Sequence, residues 1–291
     1  MTESDPQKAY RLPFTLHIKG KLMEITRPLV MGILNLTPDS FYAPSRVMQA
    51  EEAVKRVKVM LGEGADIIDI GACSTRPGSG SVPADEELHR LEAPLTAIRN
   101  AYPEAVISLD TFRADVADES IKRWKIDIIN DISGGADSNM FETVGRHKVP
   151  YILMHMRGTP ADMDTHCDYG EDVTADVVKE LAFRLDLLRR NGVADVIVDP
   201  GFGFAKNTSQ NLKLLSQLDY FKVLGCPILA GLSRKRMVRE AGECDTSDAL
   251  VSTVALNSVA LMKGASIIRV HDVREGVQTA KTIHKLCLAS E

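Results

Sequence analysis

The 291 residues are 44% hydrophobic and 26% charged, the balance of an ordinary folded chain able to bury a full core, which excludes extended disorder outside the ends. The formal net charge of −5 arises from interspersed acids and bases, without the basic stripe of a nucleic-acid binder, and no apolar run approaches the ~18 residues of a membrane span. The polar, acidic start from Met1 to Lys8 shows no leader pattern, and the five scattered cysteines lack metal-site spacing, so a cytoplasmic protein with free thiols is expected.

From Phe14 to Ile25 apolar and polar residues alternate around Lys19-Gly20, which predicts a hairpin at about 12–27 plugging the bottom of the domain. Eight short apolar, β-branched runs follow: Leu29 to Leu36, Asp66 to Gly71, Val106 to Thr111, Asp127 to Ser133, Tyr151 to Met156, Val196 to Gly201, Pro227 to Ser233 and Ile267 to Asp272. Between them lie segments with helical spacing, such as Ala50, Val54, Val57, Leu61 and Val173, Val177, Leu181, Leu185, Leu188. Eight strand–helix units imply a single α/β domain spanning 1–291, a (β/α)8 TIM barrel over about 28–289 preceded by the hairpin.

Such barrels carry their sites at the C-terminal ends of the strands. There the chain places Asn35, Thr75 with Arg76, Asp110, Asn130, His155, Asp199, Ser233 with Arg234 and Lys235, and Arg269 with His271. Each alone has a structural explanation, because Asp, Asn and Ser often cap the next helix. Arg269 and His271 do not: two apart on one strand, they leave the same face, and a cation in the barrel mouth needs an anion.

Met31-Gly-Ile-Leu-Asn-Leu-Thr-Pro-Asp-Ser-Phe41 and Gly64-Ala-Asp-Ile-Ile-Asp-Ile-Gly-Ala-Cys-Ser-Thr-Arg-Pro-Gly78 resemble the two signatures of the dihydropteroate synthases. The resemblance continues in order through Ser108-Leu-Asp-Thr111, Asn130-Asp-Ile132, Leu153-Met-His-Met-Arg-Gly-Thr-Pro160, Asp199-Pro-Gly-Phe-Gly-Phe204, Gly231-Leu-Ser-Arg-Lys235 and Arg269-Val-His-Asp272. It covers residues 28 to 273. It implies condensation of a pterin methyl diphosphate with 4-aminobenzoate, pyrophosphate release, and sulfonamides as competitors.

In that resemblance Asp199 is the carboxylate on the pterin edge, Asn130 the amide, Lys235 the ammonium near the carbonyl and Asp110 a second carboxylate on the ring. Arg269, His271 and Asn35 serve the diphosphate, and Asn35 is also the family's Mg²⁺ position. Ser233 would meet the aminobenzoate carboxylate, Thr75, Arg76 and Pro77 would form a wall, Phe202 would offer an apolar face, and the loop through Phe41 would close the site. Asp110, Lys235, Arg269 and His271 are the catalytic candidates. The chain departs from the family at Cys73 (often Glu), Ala205 (commonly Gly), Arg236 (frequently Ser) and in the stretch Phe41 to Arg46.

Two other readings share the barrel. A methyltetrahydrofolate-dependent methyltransferase domain would bind the same ring but has no use for a diphosphate pocket, and Ser233-Arg-Lys235, Ser74-Thr-Arg-Pro77 and Arg269-Val-His271 argue against it. A non-catalytic pterin-binding protein is the other, although no reacting position is lost. The apolar segment Ala249 to Met262 is expected to form a homodimer face.

Overall fold

The structure, a computed structural model, describes residues 14–36, 43–73 and 82–289. The hairpin forms from β1 (Phe14–Ile18) and β2 (Lys21–Ile25), with Phe14 opposite Ile25 and Ile18 opposite Lys21. Lys19 and Gly20 have φ of 52° and 73°, the left-handed pair of a two-residue turn whose twist matches the strands. The Lys19 ammonium donates to the Pro103 and Ala105 carbonyls at 2.6 and 3.0 Å, tying the turn to the barrel.

All eight predicted runs contain parallel strands: β3 (Leu29–Asn35), β4 (Ile67–Gly71), β5 (Ile107–Asp110), β6 (Ile128–Asp131), β7 (Tyr151–Met154), β8 (Val196–Asp199), β9 (Leu229–Ala230) and β10 (Ile267–Val270). They pair in the order β8-β7-β6-β5-β4-β3-β10-β9. Between β9 and β8 the ring closes through one bridge, Val198 to Ile228, with the Val198 N–H donating to the Pro227 carbonyl at 2.9 Å. The predicted Pro227–Ser233 strand therefore shrinks to two residues: Pro227 has no N–H for a ladder, and the chain turns away after Gly231.

Helices α1 (Ala43–Glu63), α2 (Ala84–Ala101), α3 (Ala114–Trp124), α4 (Met140–His147), α5 (Val173–Arg190), α6 (Thr208–Ser216), α7 (Arg236–Ala241), α8 (Leu250–Met262) and α9 (Val273–Ala289) surround the ring. None of the described helices is long and apolar enough to cross a membrane. In α5, Val173, Val177, Leu181, Leu185 and Leu188 are all buried against the barrel, as their spacing predicts.

Side chains alternate along each strand, so every strand divides its residues between the helical layer and the barrel axis. On the axis, Met31, Ile67, Ile128, Ile152, Ile197, Leu229 and Ile267 meet Leu16, Ile18 and Ile25 of the hairpin in a separate apolar cluster. Each fully buried side chain of this size stabilises the fold by roughly 1.5–3 kcal/mol, which is why the bottom is sealed by the hairpin. Two residues further on, the axis carries Ile33, Asp69, Asn130, Met154, Asp199, Gly231 and Arg269. The change from aliphatic to polar marks the floor of the site.

Candidate active site

Above that floor lies a cavity of about 1140 Å³, lined among others by Asn35, Asp110, Asn130, Asp199, Ser233, Lys235, Arg269 and His271. With Arg234, which also lines it, nine of the strand-end candidates thus converge. Thr75, Arg76, Pro77 and the loop through Phe41 lie outside the described residues.

Arg269 is the hub. Its Nε donates to Asp69 Oδ2 at 2.6 Å and its Nη2 to Asp110 Oδ2 at 2.9 Å, so the anions required by a buried guanidinium come from inside the barrel. The cation alone is therefore no proof of an anionic ligand. Although burial opposes it, the pairing with Asp69 and Asp110 holds the Arg269 pKa above its ordinary value. The Asn130 amide donates to the same Asp69 oxygen at 3.1 Å. Asp69 is 0% exposed and is not among the strand-end candidates. It sits inside its strand, and a search of strand ends passes over it; the signal is a lone carboxylate in an otherwise apolar run, on the same face as Gly71.

Three carboxylates, Asp69, Asp110 and Asp199, thus face two cations, Arg269 and Lys235. Burial raises the Asp110 carboxyl to about 7, against the pull of Arg269 and with the Asp69 charge adding to the rise. Asp199 is likewise raised by burial and lowered by Lys235 and by the Gly201 N–H, which donates to Oδ1 at 2.7 Å. Its Oδ2 lies 3.8 Å from where a Cβ would stand at Gly231, just past the neighbouring strand β9. Burial lowers Lys235 to about 8 despite the Asp199 charge. The Lys235 ammonium sits 4.5 Å from the centroid of the Phe204 ring and donates to the Phe202 carbonyl.

The ring expected at Phe202 turns out elsewhere. Phe202 is fully buried in the barrel–helix core, while Phe204 lines the cavity with Ile132, Met154 and Met163. The left-handed glycines Gly201 and Gly203, with φ of 70° and 78°, redirect the chain between the two rings. A Cβ at Gly203 would meet Lys235 Cδ at 3.0 Å, so the close approach of loop and lysine needs glycine there.

Ser233 is buried and braces its neighbour strand: its Oγ accepts the His271 N–H at 3.2 Å and lies 3.0 Å from His271 Nδ1. A hydroxyl donating to Nδ1 leaves the imidazole proton on Nε2. Desolvation and the nearby Arg269 lower His271 to about 4, although the residue is exposed at the cavity mouth, and both favour the neutral ring over the cation. Arg234, also on the cavity wall, is held in a two-pronged pair with Asp272 at 2.9 and 2.8 Å.

The family departures also have a local logic. The Cys73 thiol is pushed up to about 12 by burial and by Glu87, whose carboxylate pairs with Arg113 at 2.5 Å. Ala205 has φ of 49°, so the backbone keeps the left-handed turn that glycine favours, at a cost of about 1–2 kcal/mol. Arg236 lines the rim, 3.4 Å from Asp164.

The family model described as "Pterin binding enzyme" matches residues 31–271. The chain is 38% identical over 278 residues to the dihydropteroate synthase of Escherichia coli, covering 95% of this chain and 98% of that one. It is 42% identical over 284 residues to a mitochondrial folate synthesis bifunctional protein of Arabidopsis thaliana, covering 91% of this chain but only 51% of the relative, so it spans about half of that longer protein. The crystal structure of dihydropteroate synthase from Thermus thermophilus in complex with 4-aminobenzoate superposes with a TM-score of 0.83 at 38% identity, covering 94% of this chain and 100% of that one. On this barrel, this polar floor and these matches, the chain belongs to the dihydropteroate synthase family of pterin-binding enzymes.

Proposed function

We infer that the chain joins 6-hydroxymethyl-7,8-dihydropterin diphosphate to 4-aminobenzoate, forming 7,8-dihydropteroate and pyrophosphate. The observation that carries this reading is one cavity in which a hydrogen-bonding edge, Asp199 and Asn130, adjoins a donor cluster, Arg269, Lys235 and His271. The 4-aminobenzoate bound by the Thermus thermophilus relative supports it.

Asp199 accepts the ring N–H and exocyclic amine of the pterin in two parallel hydrogen bonds, which its tether to Gly201 orients in advance. Asn130 spends its amide N–H on Asp69 and keeps its oxygen for a pterin donor, while Lys235 serves the ring carbonyl. Phe204, Ile132, Met154 and Met163 flank the flat ring. Arg269 and the Nε2–H of His271 receive the diphosphate. The surplus carboxylate at Asp110 favours the positive charge that grows on the pterin methyl carbon as its bond to the diphosphate oxygen breaks. The aminobenzoate nitrogen then forms the new bond to that carbon and gives up a proton to solvent, while the C–O electron pair leaves with the pyrophosphate. Ser233, which lines the same cavity, would meet the aminobenzoate carboxylate.

Among the described residues no group of three or more His, Cys, Asp or Glu could hold a metal ion. Asn35, exposed at the end of β3 on the cavity wall, offers one amide oxygen. That donor set fits Mg²⁺, which keeps several waters and takes other oxygens from a diphosphate. When bound, the ion would supply neutralising charge to the departing pyrophosphate.

With both substrates and Mg²⁺, dihydropteroate and pyrophosphate are expected in equal amounts. Binding of the pterin without release of either product would reduce the chain to a pterin-binding protein.

A homodimer through α8 completes the reading. Val251, Ala255, Val259 and Met262 recur at helical spacing on one exposed face, Val251 being 78% and Met262 59% exposed. The adjoining turn, tied by Lys263 to Asp219 at 3.5 Å, exposes Tyr220 and Val223 beside it. Contiguous apolar surface of this kind marks an interface. Light scattering should report a dimer for the native chain and a monomer for Val251→Glu/Val259→Glu; a native monomer at micromolar concentration would dismiss the face.

A further inference from the structure

Two residues within the matched region have no part in the reaction above: His155, just after β7, and Lys206, after the β8 loop. Neither lines the cavity. Lys206 is 0% exposed, and its ammonium reaches His155 Nδ1 at 3.0 Å, the Gly201 carbonyl at 3.1 Å and the Phe204 carbonyl at 3.1 Å. Burial lowers Lys206 to about 7 despite the Asp199 charge, and in its ammonium form its three protons match these three acceptors. With the ammonium donating to Nδ1, the His155 ring proton lies on Nε2, 3.0 Å from Glu180 Oε2. Glu180 is held in turn by Arg157, whose guanidinium stacks 4.0 Å from the Tyr169 ring centroid. Burial lowers His155 to about 4, in keeping with a neutral imidazole inside this chain of groups.

The two carbonyls that Lys206 holds belong to residues that shape the pterin pocket. Gly201 also donates its N–H to Asp199, and Phe204 carries the ring under Lys235. Along this loop Gly201, Gly203 and Ala205 all adopt left-handed backbone, with φ of 70°, 78° and 49°. Such a loop has few conformational preferences of its own and depends on its tethers. At Gly201 the loop also presses on β7, because a Cβ there would stand 2.1 Å from the His155 carbonyl oxygen.

We propose that Lys206, oriented by the His155–Glu180 pair, is a positioning residue for pterin recognition, pinning residues 201–205 so that Asp199 and Phe204 are presented to the ring. The proposal rests on the pterin reading. It predicts that pterin affinity depends on Glu180, on the outer side of the network and touching no cavity residue.

Lys206→Met and Glu180→Gln would be compared with the native chain by calorimetry, using a pterin without the diphosphate and, separately, pyrophosphate with Mg²⁺. Lys206→Met should raise the pterin Kd about ten-fold and Glu180→Gln about three-fold, with pyrophosphate affinity unchanged in both. Nitrogen NMR of the Glu180→Gln imidazole should show the His155 tautomer equilibrium shifted. A folded Lys206→Met with a lower Tm and native pterin Kd would make the network merely structural and overturn the proposal. Should Lys206→Met fail to fold, a native pterin Kd in Glu180→Gln would overturn it equally. Pterin binding by the native chain with no change in the variants sinks this proposal alone; absence of pterin binding by the native chain sinks the functional reading as well.

Discussion

Arg269→Met is expected to lower kcat/KM at least about a thousand-fold and to destabilise the fold by roughly 3–5 kcal/mol, because one guanidinium serves both the diphosphate and the barrel's own charges. Its removal leaves Asp69, fully buried, and Asp110 without the partners now at 2.6 and 2.9 Å. Urea unfolding and initial rates measure the two losses separately. Adding Asp69→Asn to Arg269→Met should return much of the stability, since an uncompensated buried charge is removed, and none of the activity. A single variant as stable and active as the native chain would show that Arg269 neither balances the floor nor touches the diphosphate.

Asp199→Asn is expected to weaken pterin binding by roughly 2–4 kcal/mol, because the carboxamide presents an N–H where the ring edge also has donors. The native contact to the Gly201 N–H at 2.7 Å survives, since the asparagine oxygen can still accept it. The variant should therefore fold, with a nearly native Tm, and fail selectively in binding. Calorimetry with a pterin lacking the diphosphate reads this directly. Native affinity would reduce Asp199 to the cap of its turn, the bland role open to any Asp at a strand end.

Much of this site was legible because strand ends in a closed barrel converge. Asn35, Asp110, Asn130, Asp199 and Lys235 needed only the count of eight strands to be placed around one mouth. Asp69 escaped that logic because it lies inside its strand, two residues before the end, where strand parity and not strand end decides which side chains face the axis. The exchange of Phe202 for Phe204 escaped it too. Two left-handed glycines lie in that segment, and which ring faces the cavity follows from their backbone turns, which residue type alone does not settle.

His271 illustrates a further limit. Its presence near a diphosphate suggests a cation, yet its contact with Ser233 and the neighbouring guanidinium favour the neutral ring. Charge state is a property of surroundings, and those come from strands separated by dozens of residues.

The sequence by itself determined the hairpin, the alternation of eight strands with helices, and the family, because hydrophobic period and motif order are local and survive without a fold. Only the tertiary structure decided that Asp69 and Asp110 share Arg269, that Phe204 and not Phe202 faces the cavity, and that Lys206, outside the cavity lining, reaches His155. The physical reason is that these features depend on distances between residues far apart in the chain, and on the desolvation that a closed barrel imposes where they meet.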